Sequence, residues 1–276
     1  MVLVLNTIKS TNNELDLSVI IPFKDKASMT IDCLVSLLKF GPSVKEILLI
    51  SNNSSTQELQ KIEEFASLHK NMSVHVYNYP FNYQKINNWA VKKSRAETIM
   101  FLNNDTELRE NSRNLIERMN KKAHKKNVGI VGCLLLFGDE RTIQHAGVYL
   151  MPEGQADHMY ITKRYDAAKA QIDTKEFPYS IEKSRPLTAV TGAVQIVTKK
   201  NFDAVGGFNE DFIICGGDVD LCLRLNRAGH QTWYEAGGYI LHKESQSRKF
   251  TPIPYNDFYM SYKSYITGFD THVGDP

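Results

Sequence analysis

The first half of the chain alternates short apolar runs with amphipathic segments. Residues 17–22 read LSVIIP and residues 46–51 read EILLIS, and neither run alternates apolar with polar positions. This pattern predicts strands that are buried on both faces of a parallel sheet. Two further strands are predicted at 72–77 and 98–102.

The segments between these strands carry apolar residues at helical spacing. Helices are predicted at 27–39, 57–69, 86–94 and 112–124. Strands that alternate with such helices indicate βαβ units in an α/β fold, with a mostly parallel sheet and helices on both faces. Ligands of such sheets bind at the carboxyl ends of the strands, where this chain carries the polar stretches SNNSS and NNDTE.

The second half of the chain is less regular. The predicted elements are strands within 128–137, 142–150 and 187–198 and a charged helix at 218–230. No repeat and no clean linker interrupts the sequence, which predicts one domain over residues 1–250. Residues 251–276 are rich in aromatic side chains and are expected to form a C-terminal appendage.

Composition and charge argue against a nucleic-acid-binding protein and against a zinc protein. Hydrophobic residues make up 42% of the chain, as in an ordinary packed core, and the net charge of +2 provides no global attraction for nucleic acid. The four cysteines form no CxxC pair, which fits reduced thiols and disfavours a zinc site. We therefore expect a cytoplasmic protein that does not bind nucleic acid.

Membrane anchoring is not expected. The start of the chain carries no basic leader, and no apolar run approaches the roughly 20 residues that span a bilayer. The protein is expected to be soluble, or peripheral at the inner face of the cell membrane. The aromatic C-terminal residues could serve as a lid, as a membrane contact or as packing that closes the domain.

The stretch FLNNDTEL ends a predicted strand and places Asp105 beside two amides. It could be a solvated turn, because Asn and Asp side chains bond to the backbone in turns. Alternatively, the carboxylate could hold Mg²⁺ or Mn²⁺ together with substrate phosphates. His242 also follows an apolar run and could be a second ligand. Sequence spacing gives no reason for Asp105 and His242 to meet.

Asp218 begins the predicted charged helix and has two interpretations. It could be the N-cap, a position that Asp favours, or a general base that takes a proton from an incoming hydroxyl. Asp220 lies two positions on, about 200° around a helix, so the two carboxylates cannot face one site.

Glycines and lone basic residues provide weaker signals. Gly217 and the step from Thr191 to Gly192 permit either ordinary turns or the close approach of a ligand. Phosphate contacts are considered for Lys85, Lys243 and Arg248, although lone basic side chains are usually solvated.

Nine segments occur in order between residues 18 and 248. They are IIPFKDKA, LLISNNSS, FNYQKINNWAV, FLNNDTEL, IQHAGV, AVTGA, GGFNEDF, GDVDLCLRLNRAGH and LHKESQSR. In this order they resemble the inverting family 2 glycosyltransferases, and more narrowly the bacterial rhamnosyltransferase-like enzymes that build O-antigen and capsular polysaccharides. The resemblance implies the GT-A fold, a Rossmann-like, mostly parallel sheet with an acceptor-side C-terminal part.

The resemblance also implies roles for matching residues. Asp105 corresponds to the metal-binding position of the DxD motif, His242 to the C-terminal metal ligand and Asp218 to the catalytic base, so the implied cofactor is Mn²⁺ or Mg²⁺. Donor binding is implied for Pro22, Asp25, Ser51, Asn52, Lys85, Asn104 and Asp105. Sugar or acceptor binding is implied for Thr191, Gly192, Gly217 and Asp218.

Three positions depart from the family's pattern. Asn103 stands at the first acidic position of the DxD motif. Ser51 stands where many relatives carry an Asp that bonds the nucleobase, and Gly217 stands where they often carry Glu or Asn. Recognition of the base is therefore the least defined part of the implied donor site.

The implied reaction is a single displacement. An acceptor hydroxyl, deprotonated by Asp218, attacks the anomeric carbon of a nucleoside-diphosphate sugar, UDP- or dTDP-linked, and inverts it. The acceptor would be a glycan or a lipid-linked saccharide. Residues 17–110 would form the nucleotide-sugar half and residues 111–250 the acceptor half.

Two other classes of protein share some of these features. A nucleotidyltransferase acting on sugar phosphates should carry a Gly-rich phosphate loop after its first strand, whereas FKDKAS contains no glycine. A non-catalytic sugar-binding module would have no need of Asp218. Release of nucleoside diphosphate from donor and acceptor distinguishes a transferase from a binding module.

Overall fold

The computed structural model describes residues 14–151, 155–170, 179–243 and 252–266. The strands are β1 (Leu15–Phe23), β2 (Val44–Ser51), β3 (Met72–Val76), β4 (Thr98–Leu102), β5 (Thr106–Glu107), β6 (Val128–Phe137), β7 (Ile143–His145), β8 (Val148–Met151), β9 (Gln155–His158), β10 (Arg185–Leu187), β11 (Val194–Thr198) and β12 (Gln231–His242). The helices are α1 (Ala27–Phe40), α2 (Thr56–Ser67), α3 (Tyr83–Val91), α4 (Ser112–Ala123), α5 (Tyr165–Ala170), α6 (Lys199–Ala204), α7 (Gly217–Arg227) and α8 (Tyr255–Ile266).

One large sheet organises the described residues. Its order is β10-β12-β6-β11-β4-β1-β2-β3, with β5 paired to β12 and β7 paired to β6. Strands β1 to β4 run parallel, as does β12 with β6, whereas β11 lies antiparallel between β4 and β6. Strands β8 and β9 form a separate hairpin. The α/β fold with a large, mostly parallel sheet is confirmed.

Helices cover both faces of this sheet. Successive strand residues point to opposite faces, so two neighbouring residues of one strand pack against different helices. Ile20 packs in an apolar cluster that includes residues of α3, α6 and α7. Its neighbour Ile21 packs in a second cluster, which includes residues of α1, α2 and α4. Strand β4 is buried along its whole length, which explains why its sequence is continuously apolar.

Three elements differ from the sequence prediction. The stretch 142–150 contains two strands, β7 and β8, which belong to different sheets. Helix α3 begins at Tyr83, earlier than expected, because the side chain of Asn82 accepts a hydrogen bond from the Lys85 amide and caps the helix. The apolar stretch 187–198 is not one strand, since β10 ends at Leu187 and β11 begins at Val194. The residues between them form a connection that passes the ends of the parallel strands.

Helix α8 packs against α7 and is integrated into the domain. Tyr265 is buried, and its hydroxyl donates to the Gly216 carbonyl at 3.1 Å. Helix α8 also exposes large side chains, namely Tyr255, Phe258, Tyr259, Tyr262 and Ile266. No helix in the described ranges has both the length and the apolar character required to cross a membrane.

Candidate functional site

Asp105 and His242 meet because the chain forms a short strand directly after Asp105. Strand β5 pairs antiparallel with the end of β12 and sets His242 opposite Thr106. The Lys243 amide donates to the Asp105 carbonyl at 2.9 Å. As a result, His242 Nε2 lies 3.1 Å from Asp105 Oδ1, and the two residues are only 8% and 6% exposed. The segment does turn, because the Thr106 amide donates to the Asn103 carbonyl at 3.2 Å, but the turn is buried and not solvated.

The contacts of His242 fit a metal ligand. Its Nδ1 lies 2.7 Å from Gln144 Oε1, and because a carbonyl oxygen can only accept, this contact is a hydrogen bond when Nδ1 carries a proton. With the proton on Nδ1, the Nε2 lone pair faces the Asp105 carboxylate and the Asn103 amide, whose Nδ2 lies 3.3 Å away. Two electron-pair donors this close together suit a shared cation.

Asp105 and His242 could supply two ligands to such a cation. No group of three or more His, Cys, Asp or Glu side chains that could hold a metal occurs in the described ranges. Mg²⁺ and Mn²⁺ commonly take one or two carboxylates and complete their shell with substrate phosphates and water. Asp105 and His242 therefore fit a cation that binds together with a diphosphate.

The two amides before Asp105 have different partners. Asn103 Oδ1 lies 3.2 Å from the Tyr83 hydroxyl, which donates to it. Asn104 is buried, and its Nδ2 donates to the Thr30 hydroxyl of α1 at 3.0 Å. Asn104 thus anchors the strand end to α1, while Asn103 faces the site.

Asp218 is not the N-cap of its helix, and that interpretation is wrong. The cap is Gly216, whose φ of 87° is in the left-handed region that glycine tolerates, and α7 begins at Gly217. Asp218 lies in the first turn, where its Oδ2 accepts from the Gly192 amide at 2.6 Å and its Oδ1 from the Val219 amide at 2.9 Å. The side chain is partly exposed.

Asp220 has a structural role, as its spacing from Asp218 predicts. Its Oδ2 accepts from Arg224 Nε at 2.7 Å, one turn along α7. Its Oδ1 accepts from the Ser264 hydroxyl of α8 at 2.7 Å. Asp220 therefore fastens α8 to α7, and only Asp218 faces Gly192.

Tyr83, at the start of α3, connects the two parts of the site and was not singled out from the sequence. Its hydroxyl lies 3.1 Å from the Gly192 carbonyl as well as 3.2 Å from Asn103 Oδ1. The contacts of Gly192, Tyr83 and Asn103 thereby link Asp218 to the pair of Asp105 and His242. The only signal in the sequence was the place of Tyr83 in the segment FNYQKINNWAV.

The residues expected to bind the nucleotide lie where β1 and β2 end side by side, with Pro22 opposite Ile50 and Phe23 opposite Ser51. Asp25 follows β1 with a φ of 50°, a conformation that non-glycine residues rarely adopt. Its carboxylate accepts from the Ser55 amide at 2.7 Å, which joins the loop after β1 to the loop after β2.

Ser51 and Asn52 point away from the surface of these loops. Ser51 is fully buried, and its hydroxyl has no hydrogen-bond partner within the part of the chain that the structure describes. Asn52 donates through Nδ2 to the carbonyls of Tyr77 and Tyr79, at 3.0 and 2.9 Å. Asn52 therefore holds the ends of β2 and β3 together.

The basic candidates differ in their surroundings. Lys85 is exposed on α3. Lys243 Nζ lies 3.0 Å from Glu107 Oε2. Burial raises the pKa of Glu107, but hydrogen bonds from Arg109 and Lys243 outweigh this effect and hold the pKa below its usual value. Lys243 thus pairs with an ionised carboxylate. Arg248 lies outside the described residues.

Thr191 and Gly192 occupy the connection between β10 and β11. The Thr191 amide donates to His145 Nε2 at 3.4 Å. A side chain at position 192 would meet Asp218, whose Cβ would be 3.1 Å from the added carbon. Likewise, an added carbon at Gly217 would lie 2.5 Å from the Gln84 carboxamide carbon. An added side chain would therefore crowd Asp218 at position 192 and Gln84 at position 217.

Solved structures share this fold at low sequence identity. GalNAc-T7 with UDP, GalNAc and Mn²⁺ has a TM-score of 0.62 at 16% identity, over 83% of this chain and 44% of that chain. The mannosyltransferase PcManGT from Pyrobaculum calidifontis in complex with GDP-Man and Mn²⁺ has a TM-score of 0.59 at 11% identity, over 92% of this chain and 70% of that chain. Both show the GT-A architecture.

Sequence similarity is more specific. The O-antigen biosynthesis protein RfbC of Myxococcus xanthus is 37% identical over 256 residues, which cover 90% of this chain and 19% of that protein. This chain therefore spans about a fifth of the length of that relative. The model of the family "Glycosyl transferase family 2" matches residues 18–177, more than half of the sequence. This chain belongs to glycosyl transferase family 2.

Proposed function

We propose that this chain is an inverting glycosyltransferase of the hexosyltransferase type. It moves a sugar from a nucleoside-diphosphate donor to a hydroxyl of a glycan or glycolipid acceptor in cell-surface polysaccharide synthesis. One observation carries the proposal: Asp218 and the pair of Asp105 and His242 are joined by the contacts of Gly192, Tyr83 and Asn103. A transferase needs a base and a site for the leaving diphosphate within one donor's length.

Asp218 acts as the general base. Its two carboxylate oxygens are oriented by amide hydrogen bonds, and each retains a lone pair for an acceptor hydroxyl. As the hydroxyl oxygen attacks the anomeric carbon, its proton passes to Asp218. The bond to the diphosphate breaks on the opposite face of the sugar, so the anomeric configuration inverts.

Asp105 and His242 lie at the diphosphate end of the donor in this proposal. Mn²⁺ or Mg²⁺ bound by them would compensate the negative charge that develops on the leaving diphosphate. The Mn²⁺ in the structures of GalNAc-T7 and PcManGT supports this choice of cofactor. Asp25 and Pro22 would border the nucleoside, at the ends of β1 and β2.

The donor is proposed to be UDP- or dTDP-linked, with rhamnose among the candidate sugars. The UDP of GalNAc-T7 and the similarity to an O-antigen biosynthesis protein support a nucleotide sugar and a surface polysaccharide. The free cysteines support a cytoplasmic location. The exposed aromatic side chains of α8 support a peripheral contact with a membrane that carries a lipid-linked acceptor.

The proposal is tested with a panel of UDP, dTDP and GDP sugars in the presence of Mn²⁺. The true donor should raise the melting temperature of the protein, because it binds only the folded state, and nucleoside diphosphate should appear when acceptor is added. Asp105→Ala should abolish both effects, whereas Glu110→Ala, which removes an exposed carboxylate nearby, should not. Stabilisation without release would indicate a binding module, and release of pyrophosphate from a nucleoside triphosphate and a sugar phosphate, supplied in a separate assay, would indicate a nucleotidyltransferase.

A further inference from the structure

Gln144 is a buried polar side chain that the proposed reaction does not use. It lies in the middle of β7, which pairs with β6, and it is 3% exposed. Its Oε1 accepts the hydrogen bond from His242 Nδ1 at 2.7 Å. Its Nε2 has no partner among the described residues. An unpaired buried donor costs free energy, so a side chain that only filled space here would be apolar.

We propose that Gln144 is a positioning residue that prepares His242 to bind the cation. This inference rests on the metal site of the proposed function. A neutral imidazole carries one proton, and its position decides which nitrogen can coordinate a metal. The bond to Gln144 keeps the proton on Nδ1, so the lone pair is on Nε2, the atom beside Asp105.

The alternative tautomer is a real competitor at this site. Asp105 Oδ1 lies 3.1 Å from His242 Nε2, within reach of a hydrogen bond from a proton on Nε2. Such a proton would satisfy the carboxylate and occupy the position of the cation. Gln144 Oε1, the hydrogen-bond acceptor on the other side of the ring, disfavours this state. This is the usual effect of an outer partner on a metal-binding histidine.

The environment of β7 holds this acceptor in place. Ile143 is opposite Leu136 and His145 opposite Leu135 of β6, so the strand is fixed on both sides of Gln144. His145 in turn lies beside the Thr191 amide, which donates to its Nε2. The adjacent side chains of Gln144 and His145 thus reach the metal side and the acceptor side of the site.

The test compares two substitutions at position 144. Gln144→Met keeps a similar length and volume but removes the acceptor, whereas Gln144→Glu keeps an acceptor oxygen. Mn²⁺ is titrated into the full chain with UDP present, and free Mn²⁺ is read by electron paramagnetic resonance. We expect Gln144→Met to raise the Kd for Mn²⁺ by roughly 10- to 100-fold, and Gln144→Glu to bind at least as tightly as the wild type.

A kinetic measurement separates positioning from general damage. In Gln144→Met the Mn²⁺ concentration for half-maximal nucleotide release should rise, and saturating Mn²⁺ should restore the rate. A rate that stays low at saturating Mn²⁺, with an unchanged Kd for Mn²⁺, would contradict the positioning role. Imidazole ¹⁵N spectra of the wild type provide a check without substitution, because they should show the His242 proton on Nδ1, and a proton on Nε2 would overturn the inference.

The outcomes also separate this inference from the metal site itself. Loss of Mn²⁺ binding in His242→Ala together with unchanged binding in a folded Gln144→Met would overturn the role of Gln144 alone. Absence of Mn²⁺ binding by the wild type, or equal binding by His242→Ala, would overturn the metal site and this inference with it.

Discussion

Asp257 ties α8 to the loop that leads into α7, and its removal should loosen that loop. The carboxylate is 1% exposed and accepts from three successive amides, those of Ile213, Ile214 and Cys215, at 2.7, 2.8 and 3.0 Å. Three residues further along the chain is Asp218. The perturbation considered is Asp257→Ala, which leaves all three amides without this acceptor.

The magnitude follows from the number and exposure of these hydrogen bonds. A bond to a charged acceptor contributes about 1.5–3 kcal/mol when both partners are buried. The three amide residues are only partly buried, so water replaces some of the loss. We therefore expect Asp257→Ala to lower the free energy of unfolding by about 3 kcal/mol, less than the roughly 4.5–9 kcal/mol that three fully buried bonds of this kind would contribute.

Two measurements check this expectation. Urea denaturation gives the change in the free energy of unfolding, and hydrogen exchange of the amides at 213–215 reports the local opening directly. Asp211→Ala is the matched control, because it removes an exposed carboxylate from the same loop. Unchanged exchange at 213–215, with a stability within about 0.5 kcal/mol of the wild type, would refute the reasoning.

The same substitution should affect catalysis without touching the reacting groups. A displacement of about 1 Å at a reacting carboxylate can cost ~100-fold in rate, and the loosened loop ends in the helix start that carries Asp218. Release of nucleoside diphosphate by Asp257→Ala should therefore fall, while donor binding persists. Unchanged release alongside faster exchange would show that Asp218 is held by other contacts.

Three further expectations follow from the packing of the site. Gly217→Ala would set a methyl group 2.5 Å from the Gln84 carboxamide carbon. It should lower the free energy of unfolding, measured by urea denaturation, by about 1–3 kcal/mol. A second substitution, Gln84→Ala, should restore part of this loss. Tyr83→Phe removes the hydroxyl that contacts the Gly192 carbonyl and should lower nucleotide release with a loss of only about 1 kcal/mol in stability; a larger loss without an effect on release would contradict it. Burial holds the pKa of His145 well below its usual value. Below about pH 6.5 the unfolded chain therefore binds a proton that the folded chain does not, and the free energy of unfolding should fall by up to about 1.4 kcal/mol for each unit by which the pH is lowered. His145→Gln should make this fall shallower.

The strands of the first half could be predicted because burial on both faces leaves a clear mark in the sequence. Residues 98–102 form β4, as predicted. Residues 128–137 form β6, as predicted. The strand end that carries Asp105 could be predicted as a binding site for a related reason. Ligands of parallel sheets bind at the carboxyl ends of the strands, so polar residues that follow a buried strand there are candidates for binding.

The meeting of Asp105 with His242 could not be predicted from periodicity. It depends on β5, a strand of two residues, which is too short to leave any apolar pattern. Its partner β12 lies more than a hundred residues further along the chain. Only the order of the family's segments suggested that the two side chains belong to one site.

Local signals also misled or were lacking. An Asp before an apolar helical run is the usual mark of an N-cap, but Gly216 turns the chain two residues earlier and leaves Asp218 free to accept from Gly192. Tyr83 and Gln144 gain their roles from partners distant in the sequence. Neither side chain differs, as a residue type, from those that merely pack.

The central claim is that Asp218 takes the proton from the acceptor hydroxyl in a metal-assisted transfer. It is tested most directly by measuring nucleoside diphosphate release from the identified donor, with Mn²⁺ and acceptor, by the wild type and by Asp218→Asn. Asp218→Asn should bind the donor, unfold at a similar temperature and release no nucleotide above background. Release at the wild-type rate by the folded variant would show that Asp218 is not the base.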